Sequence, residues 1–156
     1  MNPKGYTPKQ MGDAGEALVV FELTLAGAPA AKMPDNWPSY DVIADPEGAE
    51  HPQRISVKTR TFKRGGSANV DYCKVRKNNF DWLAIVLLAC PVSCPGEKER
   101  RIFIIPKAEA DKRFQSGKEE TNNRGWMYLQ VDKMAEKLPE FENNFRLSES
   151  GIAKSR

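Results

Sequence analysis

The chain has 156 residues, 40% hydrophobic and 29% charged, which suits one folded domain with a proper core and is too short for two comfortable ones. Its longest apolar run, nine residues from 82 to 90, is too short to cross a bilayer as a helix, and residues 1–6 lack the apolar stretch of a signal peptide, so a cytoplasmic protein with no membrane partner is expected. Net charge is only +3, but between Arg54 and Asn79 eight cations meet the single anion Asp71, giving that segment +7 and leaving −4 elsewhere.

The first predicted element is a helix starting near residue 8. Thr7 can cap it, Pro8 suits the first helical position, and Gln10 stands where a capping box needs its reciprocal partner. Met11, Ala14, Leu18, Phe21 and Leu25 recur at helical spacing, with Val19 and Leu23 forming a second stripe beside Gly12 and Glu16. Gly27 and Pro29 stop the helix. A loop with Pro34, Asn36 and Pro38 leads to a strand at about 39–45. Residues 46–52 are turn chemistry, and a second strand covers about 53–61.

The stretch 69–79 reads as loop with a helical turn. Residues 80–89 have the length and β-branched content of a buried central strand. Residues 101–106 form a further strand ended by proline, 107–115 a helix, 126–131 a short edge strand and 132–138 a short helix; the last ten residues look frayed. The order α-β-β-β-β-α predicts an α/β fold, a central mixed sheet flanked by helices. One domain is expected, with its core at about 8–131 and a C-terminal extension over 132–156.

Cys73, Cys90 and Cys94 are an odd set in a chain with His51 as its only histidine. Cys90 and Cys94 could bind zinc, but a closed zinc site wants four ligands. Reduced thiols at the end of a buried strand suit the pattern better, and histidine-based triads are poor candidates.

The chemistry concentrates on the two strands at 39–61. Alternation puts Arg54, Ser56, Lys58 and Arg60 on one face, and Ile55, Val57 and Thr59 on the other, into the core. Asp41 on the neighbouring strand can face that polar row, giving a carboxylate beside a lysine. Such a pair suits a divalent cation and a phosphate held together, since magnesium takes one or two carboxylates, waters and phosphate oxygens. Its bland counterpart is a cross-strand ion pair worth a few tenths of a kcal/mol. The cations Arg54, Arg60, Lys63, Arg64, Lys74, Arg76 and Lys77 are candidates for gripping a nucleic-acid backbone; a solvated basic loop is the alternative.

The sequence resembles the PD-(D/E)XK nuclease superfamily, the restriction-endonuclease-like fold. The matching pieces are the helix with Gly12, Gly15 and Glu16, the strand with Asp41, Ser56-Val57-Lys58, the apolar strand through Trp82 to Leu88, and Ile102 to Pro106, roughly residues 8–115. The resemblance implies an α-β-β-β-α-β core, cleavage of DNA phosphodiesters with Mg2+ (or Mn2+), and in many members a homodimer. It also implies that Asp41 is the metal-binding aspartate, Lys58 the catalytic lysine, the Val57 carbonyl a further metal ligand, and Glu16 the helical acid. The position two before the lysine, usually Glu, Asp or sometimes Gln, is Ser56, a weaker neutral ligand. Glu16 can supply the missing carboxylate, and Asp45 is the other substitute. Two alternatives stand beside a nuclease: a nuclease-like fold that binds nucleic acid without cutting it, and a protein-interaction module using aromatics near Trp126, Phe141 and Phe145.

Overall fold

The protein is described here from a computed structural model, which defines residues 5–62, 69–73, 79–89, 100–116 and 126–152. Helix α1 (Pro8–Leu25) opens as its sequence predicts: Thr7 Oγ1 accepts from the Gln10 backbone N–H at 3.2 Å, and Gln10 Oε1 accepts from Thr7 N–H at 2.8 Å. It ends just before Gly27, which takes φ +95°. The face that goes down differs from the longer predicted stripe. Gly15, Val19 and Leu23 are buried, while Phe21 is 56% and Leu25 70% exposed. The cause is Gly15, whose missing Cβ lets the helix rest directly on Thr59.

Five strands make the main sheet: β1 (Ala30–Lys32), β2 (Val42–Ala44), β3 (Gln53–Phe62), β5 (Trp82–Ala89) and β6 (Arg100–Pro106), in the order β1-β2-β3-β5-β6. Only β3 and β5 are parallel, with Ile55 opposite Trp82 and Lys58 opposite Ile85; the sheet is mixed, as expected. Strand β1 was not anticipated. Three residues between Pro29 and Pro34 are too few to show alternation, and it forms because Ala30, Ala31 and Lys32 pair with Ala44, Ile43 and Val42.

A second sheet has the order β4-β8-β7, from β4 (Asn69–Cys73), β8 (Trp126–Gln130) and β7 (Gln115–Ser116). It corrects two expectations. The stretch 69–73 is strand, with Val70 and Tyr72 buried, and β8 lies between two partners rather than at an edge. By the strands matched above, the α-β-β-β-α-β order implied by the resemblance puts a helix between Trp82–Leu88 and Ile102–Pro106, and residues 90–99 there lie outside the described residues. The helix α2 (Lys107–Arg113) follows β6.

Alternation on the central strands sorts the core into two layers. Ile55, Val57, Trp82, Ala84, Val86, Ile102 and Ile104 pack with Val19 and Leu23 of α1. Leu83, Ile85, Leu87, Phe103 and Ile105 pack on the opposite side, under β4, β8, α2 and α3 (Met134–Lys137). Much of the final stretch is fixed as well. Phe141 is buried in the second layer and Leu147 in the first, and Ile152 N–H donates to Glu140 O at 2.7 Å. Buried Asn144 donates to Ile104 O at 3.1 Å and to Ser148 O at 2.9 Å, and accepts from Ser148 N–H at 3.0 Å. Phe141 is therefore core, not a docking surface.

Candidate active site

Strand β2 is three residues long and β3 is ten, so β3 runs on past the end of its neighbour. Asp41 stands at that end. Its N–H donates to Ile55 O at 2.9 Å, and its Oδ2 accepts from the Val57 backbone N–H at 2.6 Å. A charged acceptor thus replaces the backbone carbonyl that a longer β2 would have offered. In extended chain the N–H and C=O of one residue point to the same side of the strand. The Val57 carbonyl is therefore directed towards the edge where Asp41 sits.

Glu16 reaches the same place from the helix. Because Gly15, near the middle of α1, rests on Thr59 of β3, the next residue is held beside that strand. Glu16 and Asp41 both line a pocket of about 460 Å³, together with Lys9, Asp13, Lys32, Asp35, Trp37 and Tyr40. Glu16 is only 18% exposed and is paired: Lys32 Nζ lies 2.9 Å from Glu16 Oε2, 2.6 Å from Asp13 Oδ1 and 3.6 Å from Asp35 Oδ1. Lys9 bridges Asp13 and Asp35, at 3.1 Å to each.

The protonation states follow from these contacts. Hydrogen bonds to Asp13 and then Glu16 hold the Lys32 ammonium above its ordinary range. Hydrogen bonds from Lys32 and then Lys9 hold the Asp13 carboxyl below its own. Asp35 is lowered chiefly by Lys9, and Lys9 is raised chiefly by Asp35. Each group favours the charged form of its neighbour, so the pocket carries fixed charges of both signs.

The other expected site residues fall as follows. Ser56 is 5% exposed, and Lys58 is half-buried. Alternation puts both on the sheet face opposite α1, and Lys58 is not among the residues lining the pocket. Lys58 and Glu16 therefore start from opposite faces of the sheet, with Asp41 docked on Val57 at the edge between them. Arg54 is engaged by Asp81, which accepts from its side chain at 2.8 and 3.0 Å and from its backbone N–H at 2.9 Å. It also pairs with Asn79. Arg60 donates to Asp71 at 3.2 Å and to the carbonyls of Asn69 and Thr59. Lys63, Arg64, Lys74, Arg76, Lys77, Cys90 and Cys94 lie outside the described residues. Asp45 is exposed at the other end of β2, where its N–H meets Pro29 O. It does not line the pocket, so it is no substitute ligand there.

Sequence reasoning missed Asp13, Asp35, Lys32 and Trp37. Asp13 carried a signal, since it stands three residues before Glu16 and so shares its helix face. Lys32 carried none, because its strand was not recognised. Among the described residues no three His, Cys, Asp or Glu side chains converge as a closed metal centre, and no helix is long and apolar enough to cross a membrane.

No family model matches the sequence, and no curated protein matches it. A solved structure does: a bacterial homing endonuclease, I-Ssp6803I, aligns over 80% of this chain and 75% of its own, with TM-score 0.52 and 19% identity. The mixed five-stranded sheet with its flanking helices is thus a nuclease-like fold.

Proposed function

We propose that the protein is an endonuclease that hydrolyses DNA phosphodiester bonds with Mg2+ (or Mn2+), using the pocket at the open edge of β3. The observation that carries this is the meeting of Asp41 and Glu16 in one pocket, with Asp41 anchored on Val57 N–H between Ser56 and Lys58. The likeness of fold to a homing endonuclease supports the same class.

The donor set fits such a cation. Two carboxylates and a backbone carbonyl are hard oxygen ligands, and magnesium takes one or two carboxylates and fills its other positions with water and phosphate oxygens. Lys32, with Nζ 2.9 Å from Glu16, marks the pocket as a place that already holds positive charge. When bound, the cation supplies a lowered pKa for water and positive charge for the phosphate. Asp41, Glu16 and the Val57 carbonyl would hold it, while Ser56 contributes no charge. Lys58 pairs with the scissile phosphate or orients the attacking water across the edge. Lys63, Arg64, Lys74, Arg76 and Lys77 take flanking phosphates. Arg54 and Arg60 share that task only by exchanging their internal partners, Asp81 and Asp71. One such site cuts one strand, so cutting both in one encounter calls for a homodimer on the DNA.

A second reading, DNA binding without cleavage, is favoured by one observation: the neutral, buried Ser56 at a position where the family carries a ligand. Plasmid incubated with Mg2+ or Mn2+ and the wild type, Asp41→Ala or Lys58→Ala decides between them. Cleavage by the wild type alone is expected. Equal cleavage by all three would mean contamination and end the claim. No cleavage, with salt-sensitive binding that survives Asp41→Ala, would leave the second reading.

A further inference from the structure

Trp37 is the only large aromatic among the described residues that both lines the pocket of Asp41 and Glu16 and stands 46% exposed. It is held there by construction. The loop from Pro34 to Tyr40 contains two prolines, and two non-glycine residues take left-handed backbone, Asn36 at φ 65° and Ser39 at φ 80°. Asparagine tolerates that region, and serine there is uncommon. Such conformations persist only where the surroundings enforce them, and they cluster at ligand clamps.

The surroundings can be named. Trp37 N–H donates to Pro34 O at 3.0 Å, and Met33 N–H donates to Asp41 O at 2.8 Å. Asp35 is tied to α1 through Lys9 and to β1 through Lys32. The Trp37 ring meets Tyr40 edge-on, centroids 6.2 Å apart at 70°, and Tyr40 packs on the core layer beneath it. An indole is thus fixed beside the pocket, meeting the half-buried Tyr40 ring edge-on and leaving much of its surface in water. Burying it in the core would have been the ordinary solution for so large an apolar surface.

We propose that Trp37 is a stacking platform for one unpaired nucleobase next to the phosphate held at Asp41 and Glu16, so that DNA carrying an unpaired nucleotide is the preferred ligand. This rests on the nuclease reading above and adds the class of DNA it takes. In a continuous duplex every base is already stacked on both sides, and freeing one costs energy that a bulged or single-stranded base does not require. An aromatic face accepts any base, so the platform selects for unstacking and not for sequence.

The test uses the full chain without divalent cation, so that no strand is cut, and two fluorescent DNAs: a short duplex, and the same duplex with a single bulged 2-aminopurine. The wild type is expected to bind the bulged DNA about tenfold more tightly, from the usual size of base–aromatic stacking, and to quench the 2-aminopurine. Trp37→Phe keeps most of that preference. Trp37→Ala loses it, with the continuous duplex bound as by the wild type and an unchanged thermal melt. The proposal is overturned if the wild type has no preference, if the preference survives Trp37→Ala, or if neither DNA binds. Plasmid cleavage without bulge preference would remove the platform alone. Bulge preference without cleavage would keep the platform and remove the nuclease.

Discussion

Replacing Gly15 with alanine tests the seating of α1 on the sheet, and with it the placement of Glu16. A Cβ at Gly15 would overlap Thr59 Oγ1 and lie 3.0 Å from both Cβ and Cγ2 of the same residue. Ordinary carbon contacts are about 3.5–4.0 Å, so the helix must lift or Thr59 must turn. Overpacking of this kind costs about 1–3 kcal/mol. Against it stands the helix-propensity gain of Gly→Ala, about 1 kcal/mol. The net expectation is a loss of about 0–2 kcal/mol, or a fall in Tm of up to roughly 8 °C for a domain of this size. Thr59→Ala removes Oγ1 and Cγ2 and leaves only the Cβ contact, so Gly15→Ala should cost little in that background. Urea unfolding followed by circular dichroism on the four proteins gives the coupling, expected at about 1–2 kcal/mol. A stabilising Gly15→Ala, or an equal penalty in both backgrounds, would refute the close approach of α1 to β3.

Thr59 Oγ1 is buried and has no hydrogen-bond partner among the described residues, so the isosteric Thr59→Val should raise stability by about 1 kcal/mol in the same assay; a loss would mean the hydroxyl is satisfied in solution. Asn144→Ala removes three hydrogen bonds and strands Ile104 O, which should cost about 2–4 kcal/mol, whereas a change under half of that would refute the staple. Hydrogen bonds from Arg54 hold the Asp81 carboxyl below its ordinary 3.8. A depressed carboxyl stabilises above its unfolded value and loses that contribution as pH falls through the folded one. Thermal melts of the wild type should therefore drop below pH 3.8 more steeply than those of Asp81→Asn, and parallel curves would count against the pairing. Lys32→Met leaves Asp13, Glu16, Asp35 and Asp41 around one pocket without the ammonium that Asp13 and Glu16 share, so Mg2+ should raise the Tm of this variant more than that of the wild type. An equal shift would separate the pocket from the cation.

What could be read from the chain depended on how local each signal was. The capping box at Thr7 and Gln10 and the alternation across residues 54–60 are complete within a few residues, and they appear as read. The Val70 and Tyr72 alternation was equally local, but it spans only five residues beside a run of Lys, Arg and Asn. Its partner, β8, lies far along the chain, with Asn69 opposite Gln130. The helix face was misjudged because a glycine contributes no hydrophobicity, although Gly15 settles which side goes down. At the site, Asp41 is legible from strand alternation beside Lys58, and the family resemblance adds Glu16 and the roles of both. Their common pocket depends on β1 and the 33–40 loop, which fold around them for reasons no short window contains.

The docking of Asp41 on Val57 has a consequence for solubility. Strand β3 continues seven residues beyond its last pairing with β2 at Ile55, and among the described residues no further strand pairs with that side. Such edges recruit strands from other molecules unless they are blunted. A negatively charged side chain clamped over the Val57 N–H acts as a guard against self-association. Alanine at position 41 would remove the guard along with the proposed ligand, and precipitation could then be mistaken for lost chemistry. Asparagine keeps an oxygen for Val57 while discarding the charge, which makes it the cleaner replacement for separating the two jobs of this residue.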